Sequence, residues 1–193
     1  MAKSEKRQRK RPSTKVTRTT SKQLPRRWSP RTCPCLIEAV ADRGIKVCLL
    51  PCLGLEDAIG TAVRQACYRV AEDLRPNLSA LGCIPALFVG AEEDVVYVLS
   101  YPVLAIEACN YGCATRMCQK YGKEPDAVIY ARDVLRKAGI KLADESNYLL
   151  GKKGEQAVEV IAQKMVEELD RLVFEEVRRR AKAAANPGGE KST

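Results

Sequence analysis

Four short apolar runs divide the middle of the chain and predict the strands of a single sheet. They cover residues 46–52, 78–83, 103–109 and 126–130. Each run is almost continuously apolar and does not alternate with polar positions, which is typical of parallel strands buried on both faces. The first three runs each end in a cysteine. The pattern therefore predicts parallel strands, three of which carry a thiol at their carboxyl ends.

Between and after these runs, the apolar residues recur with the three-to-four-residue spacing of a helix. The spacing predicts helices over residues 61–74, 91–100, 112–121 and 133–138. Strands that alternate with helices through short connections are typical of a three-layer arrangement. The predicted fold class is therefore α/β, with a doubly wound, mainly parallel four-stranded sheet and flanking helices.

A longer helical pattern occupies residues 154–185 and carries one apolar stripe that includes Ile161, Met165, Leu169 and Val177. At 1.5 Å per residue this helix would be roughly 45 Å long, which exceeds the face of a small domain. We expect one half to pack on the core and the other half to project or to pair with a second copy, giving a homodimer. The predicted organisation is a disordered basic tail (1–32), an α/β cysteine domain (33–145), a C-terminal helical extension (146–186) and a disordered tail (187–193).

The basic charge of the chain is concentrated at its N-terminus. Of the 33 Lys and Arg residues, twelve fall within residues 1–31 beside one acid, Glu5, whereas the net charge of the whole chain is +9. So few apolar residues accompany these charges that we expect the segment to be disordered. Such an arm can make weak contact with nucleic acid or another polyanion by releasing counterions. A solubilising extension and an organelle transit peptide are the alternatives.

Nine cysteines and no histidine among 193 residues restrict the chemistry that is open to this chain. We find no secretory signal and no apolar run long enough to cross a membrane, so we expect a reducing, cytoplasmic location with free thiols or metal ligands. The absence of histidine excludes Ser-His-Asp and Cys-His catalysis and every zinc site that uses imidazole. A metal would have to be held by thiolates, carboxylates or backbone groups.

Parallel strands present their carboxyl ends at one edge of the sheet, where such folds bind their ligands. We expect this placement to bring Cys52, Cys83 and Cys109 together, with Cys113 joining them from the start of the next helix. Four convergent thiolates would suit zinc in a tetrahedral site or an iron–sulfur cluster. The pattern also leaves open a reactive thiol site without metal, or simple packing of buried cysteines.

The other five cysteines have a different setting. Cys48 lies within a predicted strand, and Cys67 and Cys118 lie on predicted helices, so packing is their expected role. Cys33 and Cys35 flank a proline between the basic tail and the domain. From that position they could lend a thiolate to the site.

Residues 52–140 resemble the DGC domain, a family that is described as zinc-binding and is named after a central Asp-Gly-Cys. The resemblance rests on the stretches LPCLG, AVRQACYRVAEDLRP, GCIPAL, EEDVVYVLSYPVLAIEACNYGCATRMCQKYG and DVLRKAGI. It implies four zinc-chelating residues, Cys52, Cys83, Cys109 and Cys113. Where the family has Asp-Gly, this chain has Glu107-Ala108. If the glycine needs a positive φ, Ala108 would strain the loop.

The resemblance implies a metal site without fixing its role. Metal sensing, storage or delivery is the first interpretation. The alternatives are an iron–sulfur protein or a cysteine-dependent redox or sulfur-transfer enzyme, in which Cys113 or Cys109 would react. The helix N-terminus near Cys113 is expected to stabilise its thiolate. Arg64, Arg116 and Lys120 would neutralise the remaining charge if they face the site.

Overall fold

Four parallel strands form the centre of the fold in the computed structural model of this protein, which describes residues 44–54 and 57–185. The strands are β1 (Val47–Pro51), β2 (Ser79–Leu81), β3 (Val103–Glu107) and β4 (Ala127–Tyr130). They lie in the order β2-β1-β3-β4, and every neighbouring pair is parallel. Because the chain moves from β1 out to β2 and then back past β1 to β3, the sheet is doubly wound, as predicted.

Six helices flank the strands within the described residues. They are α1 (Ala58–Tyr68), α2 (Ile84–Val89), α3 (Glu92–Ser100), α4 (Cys113–Lys120), α5 (Ala131–Lys137) and α6 (Lys152–Ala185). A π-helical segment, Arg69–Leu74, continues α1. In the part of the chain that the structure describes, no helix combines the length and apolar character of a membrane span.

The two faces of the sheet bury different sets of side chains, as successive residues of a strand must. Leu49 and Ile106 belong to a core that also contains side chains from α1, α5 and α6. Leu50 and Ala105 belong to a second core, formed with side chains from α2, α3 and α4. Helices therefore cover both faces, which explains why the strands read as continuous apolar runs.

Helix α6 packs along its first part and projects at its end. Ile161, Met165 and Leu169 are fully buried, whereas Phe174 is 61% exposed and Val177 is 44% exposed. The predicted apolar stripe is therefore longer than the surface that it covers. The expectation that one half of this helix packs on the core is confirmed, and pairing of its exposed end with a second copy stays a prediction.

Candidate metal centre

The carboxyl ends of β1, β2 and β3 present cysteines at one edge of the sheet. Cys52 directly follows β1, and its amide donates a hydrogen bond to the Ile106 carbonyl at 2.7 Å. Cys83 and Cys109 each lie two residues beyond their strand. Cys113 is the first residue of α4. All four cysteines thus lie at the edge where the predicted topology places them.

The seven described cysteines are all free thiols, but they differ in exposure. Cys48, Cys67 and Cys118 are buried within the two cores, as their expected packing role requires. Burial is the main cause that raises the pKa of Cys118 to about 11. In contrast, Cys83 and Cys113 are exposed. Cys109 is half-buried and Cys52 is buried, so exposure separates Cys83, Cys109 and Cys113, but not Cys52, from the packing cysteines.

Three of the edge cysteines interact with one another around Cys113. The Cys113 side chain is hydrogen bonded to that of Cys52. Burial is the largest cause that raises the pKa of Cys113, followed by the charges of Cys52, Glu107 and Cys109. The pKa of this thiol is therefore raised where the helix N-terminus was expected to lower it, because burial and then the neighbouring charges disfavour the thiolate.

The cations that were expected to neutralise this charge have other partners or lie elsewhere. Arg64 donates to the Gly54 carbonyl at 2.7 Å and to Thr61 Oγ1 at 2.9 Å. Lys120 Nζ donates to the Phe88 carbonyl at 3.0 Å. Neither these two residues nor Arg116 is among the groups that set the pKa of Cys113. Arg132, which was not predicted, lines a shallow pocket together with Cys109, so it is a described cation beside an edge thiol.

Glu107, at the end of β3, fixes the first turn of α4. Its fully buried Oε1 accepts hydrogen bonds from the Thr115 amide at 2.8 Å and from Thr115 Oγ1 at 2.9 Å. The N-cap of α4 is Gly112, which has a φ of 65° and no side chain to cap the helix. Glu107 therefore supplies the capping oxygen from a neighbouring strand. Its other oxygen, Oε2, is buried and has no hydrogen-bond partner among the described residues.

Ala108 occupies the position where the family has glycine, and it does so without strain. No described residue other than glycine has a positive φ. The Ala108 carbonyl accepts a hydrogen bond from Arg132 Nε at 3.1 Å, and Arg132 also forms an ion pair with Asp57. The expected strain is absent because this backbone position does not need the left-handed conformation.

Cys83 lies in a separate environment from the other three edge cysteines. It lines a cavity beside β2, and its amide donates a hydrogen bond to Asp94 Oδ1 at 3.2 Å. It is not one of the groups that act on Cys113. Across residues 44–54 and 57–185, no group of three or more Cys, Asp or Glu side chains is arranged to hold a metal ion. Cys33 and Cys35 lie outside the described residues.

A parallel sheet with free cysteines along its carboxyl edge defines a cysteine-rich α/β domain. The chain belongs to the DGC domain family, because the family model matches residues 48–163, which is more than half of the chain. This match confirms the resemblance that the sequence motifs indicated, and it includes all four edge cysteines. The comparisons with curated proteins and with solved structures found no match.

Proposed function

We propose that this protein binds a metal ion, with zinc as the expected metal, through thiolates at the carboxyl edge of its sheet. The proposed ligands are Cys52, Cys83, Cys109 and Cys113. Membership of the DGC family supports a metal-binding role. The observation that carries the proposal is the placement of the four cysteines at one edge of the sheet, just beyond the carboxyl ends of β1, β2 and β3 and at the start of α4.

The chemistry of this donor set fits a divalent cation. Each neighbour that acts on Cys113 raises its pKa, so negative charge at the site is unfavourable as long as no cation is bound. A bound Zn²⁺ would reverse this effect, because it stabilises coordinated thiolates. The unpaired Oε2 of Glu107 adds a buried acceptor that a cation or a metal-bound group could satisfy. A metal ion would therefore favour the thiolate form of Cys113 that its surroundings otherwise disfavour.

Binding through all four cysteines requires side chains to converge. Cys52 and Cys113 are already in contact. Cys83 is exposed and Cys109 is half-buried, so both have room to turn towards that pair. The exposure of Cys83 and Cys113 favours a site that exchanges metal with solvent over a buried structural one. The apolar cores on both faces of the sheet also supply packing that does not involve the edge cysteines, apart from Cys52. We therefore propose metal sensing, storage or delivery as the role.

The first test is the metal content of the full-length protein, purified anaerobically without a metal-binding tag. We expect about one zinc per chain, as a closed four-thiolate site would hold. The Cys52→Ser, Cys83→Ser, Cys109→Ser and Cys113→Ser variants should each lose metal. Cys118→Ala is the matched control, since this thiol lies on the same helix as Cys113 but is buried in the core.

The outcome distinguishes the proposal from its alternatives. Iron with acid-labile sulfide would replace zinc binding by an iron–sulfur role. Protein without metal, whose four edge thiols all react freely, would overturn metal binding and favour thiol chemistry. If Cys83→Ser retains full metal while the other three variants lose it, the site exists but Cys83 is not a ligand. The metal content of a variant that lacks residues 1–43 would show whether Cys33 and Cys35 contribute to metal binding.

A further inference from the structure

The cavity that Cys83 lines lies beside the edge strand β2 and has a volume of about 610 Å³. Its apolar lining includes Leu53, Leu81, Ile84 and Pro85, contributed by the segments that follow β1 and β2 and by β2 itself. Pockets that bind small molecules are of this size, with a mostly apolar wall and a few polar groups. The wall here therefore suits the apolar body of a small organic ligand.

The polar group that distinguishes this cavity is Asp94, in the first turn of α3. Asp94 is 3% exposed and lines the cavity. Its Oδ1 accepts the Cys83 amide at 3.2 Å, whereas its buried Oδ2 has no hydrogen-bond partner among the described residues. An unpaired buried carboxylate oxygen is costly, because its hydration is lost and nothing replaces it. A ligand would remove this cost by donating a hydrogen bond to Oδ2 once a small turn of the Asp94 side chain brings that buried oxygen to the cavity wall.

The charges around the cavity favour a cationic donor. Arg64, Glu72 and Asp94 are the charged residues in the described lining. The guanidinium of Arg64 already donates to Gly54 and to Thr61, which fixes its orientation. The two carboxylates therefore outnumber one committed cation, and an ammonium group would be attracted to Asp94.

We infer that this cavity is a binding site for a small molecule with an apolar body and an amino group, the amino group donating to Asp94. The ligand's apolar body would contact Leu53, Leu81 and Ile84. Asp94, which recognises the amine, is not a proposed metal ligand, although Cys83 belongs both to the cavity lining and to the proposed ligand set. The inference therefore does not depend on metal binding, and it can succeed or fail separately.

The test is a titration of the full-length, ¹⁵N-labelled protein with three probes that share one phenylpropyl body. They are 3-phenylpropylamine, 3-phenylpropanol and 3-phenylpropionate, and each is titrated with and without added zinc. The Cys83 amide, which donates to Asp94, is the reporter. We expect the amine to bind most tightly and the carboxylate most weakly, with the Cys83 amide among the most shifted signals in both metal states.

Two variants assign the effect to the cavity. Asp94→Asn keeps an oxygen for the Cys83 amide but removes the charge, so it should weaken amine binding by about tenfold or more. It should leave binding of the alcohol less affected. Ala71→Phe fills the cavity from the π-helical segment without changing Asp94, and it should weaken all three probes. Glu92→Gln is the matched control, because it removes a carboxylate from the same turn of α3 outside the cavity lining and should leave amine binding unchanged.

Several results would overturn the inference. Absence of binding by all three probes would show that the cavity does not accept this class of ligand. Equal affinity for the amine and the carboxylate would show that the charge of Asp94 does not contribute to binding. Unchanged amine binding in a folded Ala71→Phe protein would place the amine elsewhere, even if Asp94→Asn fails to fold.

Discussion

Glu107 illustrates how one residue can organise both an element and a site. It ends β3, yet its carboxylate caps α4, the helix that begins with Cys113. The family's aspartate at this position would be one methylene shorter. The longer side chain reaches the Thr115 amide and leaves its second oxygen buried near the thiols. The substitution in the name-giving motif is therefore compatible with a role in positioning Cys113.

Glu107→Ala should destabilise the fold, because the Thr115 amide and hydroxyl would both lose their acceptor. We expect a loss of about 1–3 kcal/mol in the free energy of unfolding, measured with urea. Glu107→Gln retains one amide oxygen as an acceptor and serves as the matched control, with a smaller loss. Equal stability of wild type and Glu107→Ala would contradict the capping role.

Metal affinity should depend on pH in a direction set by Cys113. Because the pKa of this thiol is raised in the metal-free protein, a metal must displace its proton at neutral pH. Zinc affinity should therefore increase as pH rises and level off only above that raised pKa. Competition with a chromophoric chelator between about pH 6 and 9 measures this dependence.

The same measurement on Glu107→Gln provides the control for this pH dependence. The variant removes a carboxylate charge that raises the pKa of Cys113, so the rise in affinity should shift to lower pH. An unshifted curve would show that Glu107 does not act on the thiol.

At the scale of the element, apolar spacing was a good guide to strands and long helices and a poor guide to short ones. The four strands and most helices occur where predicted. The first three strands end one or two residues before their cysteines. Helix α2 was not predicted, because its six residues are too few to show the apolar spacing of a helix. In the structure Pro85 lies in the first turn of α2, where its lack of an amide costs nothing.

Contacts between elements that are distant in sequence could not be predicted from spacing. The pairing of Glu107 with Thr115 and of Cys83 with Asp94 depends on where loops bring side chains. Asp94 lies within the predicted helix over residues 91–100, and no signal in the neighbouring sequence indicates that one of its oxygens is buried without a partner. The edge cysteines were predictable because strand topology alone determines their placement.

The attachment of α6 to the domain should depend on apolar packing far more than on the ion pair between Arg75 and Asp170. Leu169 is fully buried on this helix. The adjacent Asp170 accepts hydrogen bonds from both Nε and Nη2 of Arg75. Leu169→Ala should cost about 2–5 kcal/mol of unfolding free energy. Arg75→Ala should cost less than about 1 kcal/mol, because the pair is partly exposed and screened.

The pH dependence of the Arg75 effect provides an internal check. Arg75 lowers the pKa of Asp170, so the pair stabilises the fold above the ordinary carboxylate pKa. This stabilisation is lost as pH falls through the lowered pKa of the folded state. Urea titrations at several pH values should show the Arg75→Ala difference vanish in acid. A difference that persists there would mean that Arg75 acts through packing instead.

At the scale of the whole molecule, charge separates the basic N-terminal segment from the remainder of the chain. Residues 1–31 lie outside the described residues, and their contact with polyanions stays a proposal. If it is correct, the full chain should bind a DNA or RNA oligonucleotide weakly, with an affinity that falls steeply as salt rises. A chain lacking residues 1–31 should lose this binding, which a fluorescence-anisotropy titration would measure. Equal binding by both chains would show that residues 1–31 do not bind the oligonucleotide.

The segment that follows β1 is shared by both proposed sites. Cys52 contacts Cys113, whereas its neighbours Pro51 and Leu53 line the cavity beside β2. Three consecutive residues therefore connect the two proposed sites. By thermodynamic reciprocity, an amine that changes the affinity for zinc by some factor must have its own affinity changed by the same factor. Through these three residues, the protein would report the supply of a small molecule as a change in the metal that it retains.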